Sequence, residues 1–168
     1  MIEIRWHGRA GQGAKTASQL LAAAALDTGK QVQAFPDYGP ERSGAPMRAY
    51  TRIDTKPIRR RYGITEPDVV VVLDESLLAE ANPTEGLRDT GLLIVNTERE
   101  IEGAICLPAT RLAEEGAGYV NVVMLGATAA ALGEPPLEAL LAVAGAKGVA
   151  IADVEAGYHA VEELQWAA

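Results

Sequence analysis

Apolar and polar residues alternate over positions 2–6 (Ile-Glu-Ile-Arg-Trp) and stop at Gly8, the period-two pattern of a first strand. From position 14 the period changes. Ala17, Leu20, Leu21, Ala24 and Ala25 fall at helical spacing, which predicts a helix over 14–28 that stops at Gly29. A second strand is predicted over 31–35. Positions 36–46 carry Pro36, Pro40, Pro46, Gly39 and Gly44 and therefore form a constrained loop. A third strand follows over 47–53, with 58–62 as a candidate partner across the turn Asp54-Thr55-Lys56-Pro57.

The clearest segment is Val69-Val70-Val71-Val72-Leu73, apolar on both faces and so suited to the centre of a covered parallel sheet. It ends at Asp74 and leads into a short helix over 75–81. Positions 92–96 repeat the pattern, and 105–107 form a further short strand. Beyond these the chain turns helical, over 120–132, 137–144 and 152–166, the middle helix opened by Pro135-Pro136. Strands alternating with helices predict a single α/β domain over 1–168. Its expected form is a three-layer α/β/α sandwich with a mainly parallel, Rossmann-like sheet and a helical C-terminal region.

Composition narrows the function classes. The chain has 168 residues and a formal net charge of −8, which argues against DNA or an anionic membrane as principal partner. A single cysteine excludes an internal disulfide and any iron–sulfur cluster or Cys-based zinc site held by this chain alone. Residues 2–6 lack the apolar stretch of a signal peptide, so a cytoplasmic location is expected. Charge is unevenly divided: residues 1–65 hold 11 basic and 5 acidic side chains, residues 66–168 hold 4 and 18.

The basic part also contains Gly8-Arg9-Ala10-Gly11-Gln12-Gly13, between a predicted strand and a predicted helix. Glycines there let the backbone approach a phosphate, and the helix start presents free N–H groups and the positive end of its dipole. Arg9 and Lys15 add cations in the same turn. Tight strand–helix packing is the alternative use of such glycines. A nicotinamide-binding unit is a rival reading, with Asp37 as the ribose-binding acid. Against it stand the order G-x-x-G-x-G and the proline-rich loop, 36–46, in place of a crossover helix between the second and third strands. In that loop Arg42 is the candidate anion contact, because its planar fork suits phosphate and carboxylate alike.

Taken together, His7-Gly8-Arg9-Ala10-Gly11-Gln12-Gly13-Ala14, the segment from Gln33 through Phe35-Pro36, Tyr38-Gly39-Pro40-Glu41-Arg42 and Gly44-Ala45-Pro46, and Glu66-Pro67-Asp68 with the valine run resemble one family. It is the gamma subunit, or gamma domain, of the pyruvate/2-oxoacid:ferredoxin (acceptor) oxidoreductases. Asn121-Val122-Val123-Met124-Leu125-Gly126 matches a later signature of the same family. One departure is Ala10, where the family usually has glycine. The resemblance implies a multisubunit enzyme that decarboxylates a 2-oxoacid such as pyruvate oxidatively to an acyl-CoA and CO2. It implies alpha, beta and delta partner subunits that carry thiamine diphosphate, magnesium and iron–sulfur clusters, with ferredoxin reached indirectly. For this chain it implies coenzyme A binding and assembly without a catalytic residue, so the isolated chain is expected to be inactive. The expected contacts are Gly8, Arg9, Gly11, Gln12, Gly13, Lys15, Arg42 and Asn121.

Other residues carry weaker expectations. The Arg59-Arg60-Arg61 run reads as a solvated edge or a contact to a 3′-phosphate, and His7 as a hydrogen-bonding structural residue. Cys106 reads as an inert thiol, His159 as a helix-surface residue, and Asp74 equally as cleft group or helix cap. Two alternatives remain open for the chain as a whole. One is a self-sufficient nucleotide-dependent oxidoreductase. The other is a purely structural subunit, with a homodimer possible when its partners are absent.

Overall fold

The computed structural model describes residues 1–37 and 43–166, so Arg42 lies outside the described residues. The first strand, β1 (Ile2–Arg9), is followed by α1 (Ala14–Asp27), β2 (Gln31–Asp37), β3 (Pro46–Asp54) and β4 (Val69–Val72). A short α2 (Leu77–Glu80), β5 (Leu92–Asn96) and β6 (Ala104–Leu107) come next. Four helices complete the chain: α3 (Ala109–Gly116), α4 (Val120–Leu132), α5 (Leu137–Ala146) and α6 (Ile151–Trp166).

The strands form one six-stranded sheet in the order β2-β3-β1-β4-β5-β6. β1, β4, β5 and β6 pair in parallel, whereas β3 runs antiparallel to both β1 and β2. The sheet is therefore mainly parallel in direction, as expected, with one reversed strand. That reversal is how the chain dispenses with a crossover helix between β2 and β3. The segment 58–62 does not become a strand. Its carbonyls are held instead by side chains of the sheet: Gln33 Nε2 donates to Ile58 and Arg60, and Arg52 donates to Tyr62.

The sheet's two faces differ in kind. Ile4, Trp6, Ala49, Ile53, Val69, Val71 and Ile94 point into one core shared with α1, α3, α4, α5 and α6. Helix α4 is buried on almost every side, which explains a sequence apolar all round. On the other face Val70, Val72 and Val95 pack on Leu77 of α2, a much thinner layer. The rest of that face is polar yet buried. Glu3 accepts from Arg52 Nε at 2.8 Å and from Arg60 at 3.1 Å. Arg5 donates to the carbonyls of Ile64 (3.2 Å), Thr65 (3.4 Å), Pro83 (2.8 Å) and Glu85. These charged side chains fasten two connecting loops to the sheet, so the polar positions of β1 are interior as well as the apolar ones.

Candidate functional site

The carboxyl ends of β1, β4 and β5 open into a cleft of about 1090 Å³, where ligands bind in open α/β sheets. Its floor is Leu73, Asp74, Asn96 and Thr97, and its walls come from Gly11–Gly13, Pro108, Thr110, residues 117–122 and residues 148–150. The first turns of α1, α3 and α4 all contribute lining residues. The N-cap positions of α1 and α4, Gly13 and Tyr119, make no side-chain capping hydrogen bond. Helix starts left in this way present backbone N–H groups and a positive dipole end to whatever enters.

The glycine loop and α4 are built against each other. Gly13 has φ 82°, a left-handed conformation that favours glycine, and an added Cβ would lie 2.5 Å from Asn121 Nδ2. Asn121 Nδ2 donates to the Gly13 carbonyl at 3.2 Å, joining residues that the sequence separates by 108 positions. Gln12 braces the loop from inside: its Oε1 accepts from Arg9 N at 2.7 Å and its Nε2 donates to Asp74 at 3.0 Å. Ala10 N donates to Ala45 O at 2.9 Å, which docks the end of the proline-rich segment on the same loop. Gly8 is buried, with Leu73 and Ala14 close to where a side chain would stand.

Acids in and around the cleft are matched. Arg9 Nε stands 3.3 Å from Asp74, Arg99 3.3 Å from Glu75, and Arg111 3.3 Å from Glu98. Burial alone would raise the Asp74 carboxyl. Hydrogen bonds from Ser76 and Gln12, with the charge of Arg9, outweigh that and hold it below its ordinary value.

Gly11, Gln12, Gly13 and Asn121 thus converge on the cleft, whereas Arg9 and Lys15 do not line it. The Arg9 guanidinium is held by Glu80, Ser76 and the Gly44 carbonyl as well as by Asp74. Lys15 is exposed on α1. Of the two roles expected of Asp74 the structure bears out the first: it lines the cleft, whereas the N-cap of α2 is Ser76, whose N–H donates to Asp74 Oδ1 at 3.0 Å in the preceding turn. Arg60 of the arginine run is spent on Glu3, on the opposite face of the sheet. His159 pairs with Glu162 on the surface of α6, and Cys106 is partly buried on β6, away from the cleft.

His7 is 2% exposed and accepts from Arg5 Nε at 3.0 Å. Burial, then the charges of Arg5 and Arg48, lower its pKa to about 3, so it is neutral and structural. Three lining residues were not singled out in the sequence. Among the described residues Arg99 is the cationic side chain lining the cleft, Tyr119 lines it too, and Asn96 ties the floor to α3 by accepting from Thr110 N at 3.1 Å. A polar residue at a strand's carboxyl end was the available hint for Asn96. Among the described residues no group of three or more His, Cys, Asp or Glu side chains could hold a metal ion. No described helix is long and apolar enough to cross a membrane.

Residues 3–160 match the family model of the pyruvate ferredoxin/flavodoxin oxidoreductases. The pyruvate synthase subunit PorC of Thermotoga maritima is 54% identical over 151 residues, covering 83% of this chain and 78% of that protein. The common subunit gamma of the pyruvate/ketoisovalerate oxidoreductases of Thermococcus kodakarensis is 52% identical over 153 residues, 83% of each. Among solved structures, the pyruvate oxidoreductase subunit PORC of T. maritima superposes with a TM-score of 0.79 at 43% identity, covering 96% of this chain and 93% of that one. The 2-oxoglutarate:ferredoxin oxidoreductase of Magnetococcus marinus, solved with 2-oxoglutarate, coenzyme A and succinyl-CoA bound, shares the fold. Its TM-score is 0.68 at 19% identity, over 99% of this chain and 31% of that one.

Proposed function

This chain belongs to the pyruvate ferredoxin/flavodoxin oxidoreductase family, as a gamma subunit, and from that premise we propose that its cleft holds coenzyme A for the assembled enzyme. The observation that carries the proposal is the junction of the glycine loop with α4. Two helix starts without side-chain caps meet at the Asn121–Gly13 hydrogen bond, in a cleft at the sheet's carboxyl edge. Such a junction suits a diphosphate, which takes several backbone N–H donors at once. Gly11 and Gly13 would admit the phosphates, Asn121 would orient them, and Arg99 would supply the cationic contact. Arg9 would act by bracing the loop, not by touching the ligand. Arg42 remains a candidate contact from the proline-rich segment.

On this reading residues 1–168 act as one unit inside the cytoplasmic enzyme. Its alpha, beta and delta partners would carry thiamine diphosphate, magnesium and iron–sulfur clusters, and pass electrons to ferredoxin. The chain itself would contribute no acid, base or nucleophile. It would deliver the coenzyme's thiol to an acyl group formed on another subunit, a role of positioning. The coenzyme A bound in the distant M. marinus relative supports the choice of ligand for a domain of this fold.

Amide hydrogen exchange on the assembled enzyme tests the proposal. Added coenzyme A should protect amides in 9–16, 97–99 and 118–123. Protection confined to the partner subunits would overturn it.

A further inference from the structure

We infer that Tyr119 is the stacking platform for the planar base of a nucleotide ligand, a deepening that rests on the coenzyme A reading. Tyr119 is 71% exposed although it lines the cleft, the most exposed large apolar or aromatic side chain described. It also occupies an N-cap, where short polar side chains are preferred, and it makes no capping hydrogen bond there. Helix capping therefore does not account for a tyrosine at this position.

Its backbone is fixed while its ring faces solvent. The Tyr119 N–H donates at 3.0 Å to Asp153 Oδ2, and Asp153 is only 1% exposed. Gly116 and Gly118 are packed on that carboxylate with no room for a Cβ; at Gly116 the added atom would lie 2.5 Å from Asp153 Oδ1. The residue is extended, at φ −131° and ψ 134°, so the chain enters α4 at a set angle. A ring on a pinned backbone loses little freedom when a flat ligand group settles on it.

The cleft lining combines two chemistries. Apolar Val120, Val149 and Ala150 line it together with Tyr119, and Ile151 lies next along the chain at 41% exposure. The glycine loop, Thr97 and Arg99 supply polar lining to the same cleft, and Asn121, two residues from Tyr119, joins α4 to that loop. A ligand with an anionic segment and a flat aromatic end fits such a lining, and among such ligands a purine nucleotide matches the aromatic platform.

The test is calorimetric titration of the assembled enzyme carrying wild-type chain, Tyr119→Ala or Tyr119→Phe, with coenzyme A, adenosine 3′,5′-bisphosphate and 4′-phosphopantetheine. Tyr119→Ala should weaken both adenine-containing ligands by about ten- to a hundredfold, the span of base–aromatic stacking. It should leave 4′-phosphopantetheine unchanged, and Tyr119→Phe should restore binding. If wild-type enzyme binds coenzyme A and Tyr119→Ala binds it equally well, the platform is wrong while the cleft reading survives. If wild-type enzyme binds none of the three, the cleft reading fails and the platform with it. A lower yield of assembled complex at unchanged affinity would make Tyr119 a subunit contact and overturn the inference.

Discussion

Replacing Gly157 with alanine sets two effects of opposite sign against each other. Alanine in a helix interior is favoured over glycine by about 1 kcal/mol, so propensity alone predicts a more stable protein. Gly157 lies where α6 crosses α4, and a Cβ there would overlap the Val123 carbonyl oxygen. It would also stand 2.7 Å from the carbonyl carbon and 3.1 Å from Ala127 N. Those atoms are helix backbone and cannot turn aside, so the helices must part by about 1 Å to restore ordinary contact. Buried Val123, Ala127, Val154 and Val161 would then lose close packing. Overpacking of this kind costs roughly 1–3 kcal/mol, and rigid backbone on both sides puts this site at or above the top of that span. After the propensity gain the expected net loss is about 2 kcal/mol, or a melting temperature lower by roughly 4–8 °C for a chain of this length. Gly145→Ala is the control, since a Cβ there meets only Ile151 Cδ1 at 3.4 Å. It should be neutral or stabilising. Thermal unfolding of the two variants beside wild type decides the matter. A Gly157→Ala protein as stable as wild type would refute the close crossing of α4 and α6, and with it the placement of the cleft wall that α4 carries.

Other outcomes follow from the polar face and the loop. His7 has its pKa lowered to about 3 in the fold against an ordinary 6.5, so the unfolded chain takes up its proton first on acidification. Its contribution is complete above pH 6.5 and erodes as pH falls toward 3, by up to about 1.4 kcal/mol per unit. Urea unfolding at pH 7 and pH 4.5 should therefore show a larger loss for wild type than for His7→Gln, by about 2 kcal/mol; equal losses would contradict this. Arg5→Met should leave the loop carbonyls of Ile64, Thr65, Pro83 and Glu85 without their donor. Hydrogen exchange in 63–66 and 82–86 should accelerate ahead of the sheet, and uniform acceleration would argue against a clamp. Gly13→Ala introduces strain at φ 82° and a clash with Asn121, so it should weaken coenzyme A binding about tenfold or more, whereas Lys15→Ala should not.

Much of this fold was legible because its signals are local. The double-sided valine run of β4 and the all-apolar α4 each state their own environment, and the alternation in β1 marks a strand without showing that its polar side is buried as well. Elements fixed by distant partners were not legible. Helix α3 starts where Asn96, fourteen positions away, accepts from Thr110 N; its eight residues are amphipathic, with Ala109 and Ala113 buried, but the stretch is short and mostly polar. Residues 58–62 look like a strand, but Arg52 and Gln33 take up their carbonyls from the side.

The site shows the same division. Glycine spacing between a strand and a helix placed the loop correctly, because backbone conformation there is a local matter. The role of Arg9 was invisible, since its partner Glu80 lies 71 positions away and no charge count along the chain brings them together. The same holds for Arg99 and Tyr119, which become cleft residues only when β5 and α4 share one edge of the sheet.

The measurement closest to the central claim is coenzyme A affinity of enzyme assembled with wild-type, Asn121→Ala or Arg99→Gln chain, at two salt concentrations. Both variants should bind more weakly, Arg99→Gln with a smaller salt dependence, and the rate of the 2-oxoacid half-reaction should be unchanged. Wild-type affinity in both variants would contradict a coenzyme site in this cleft.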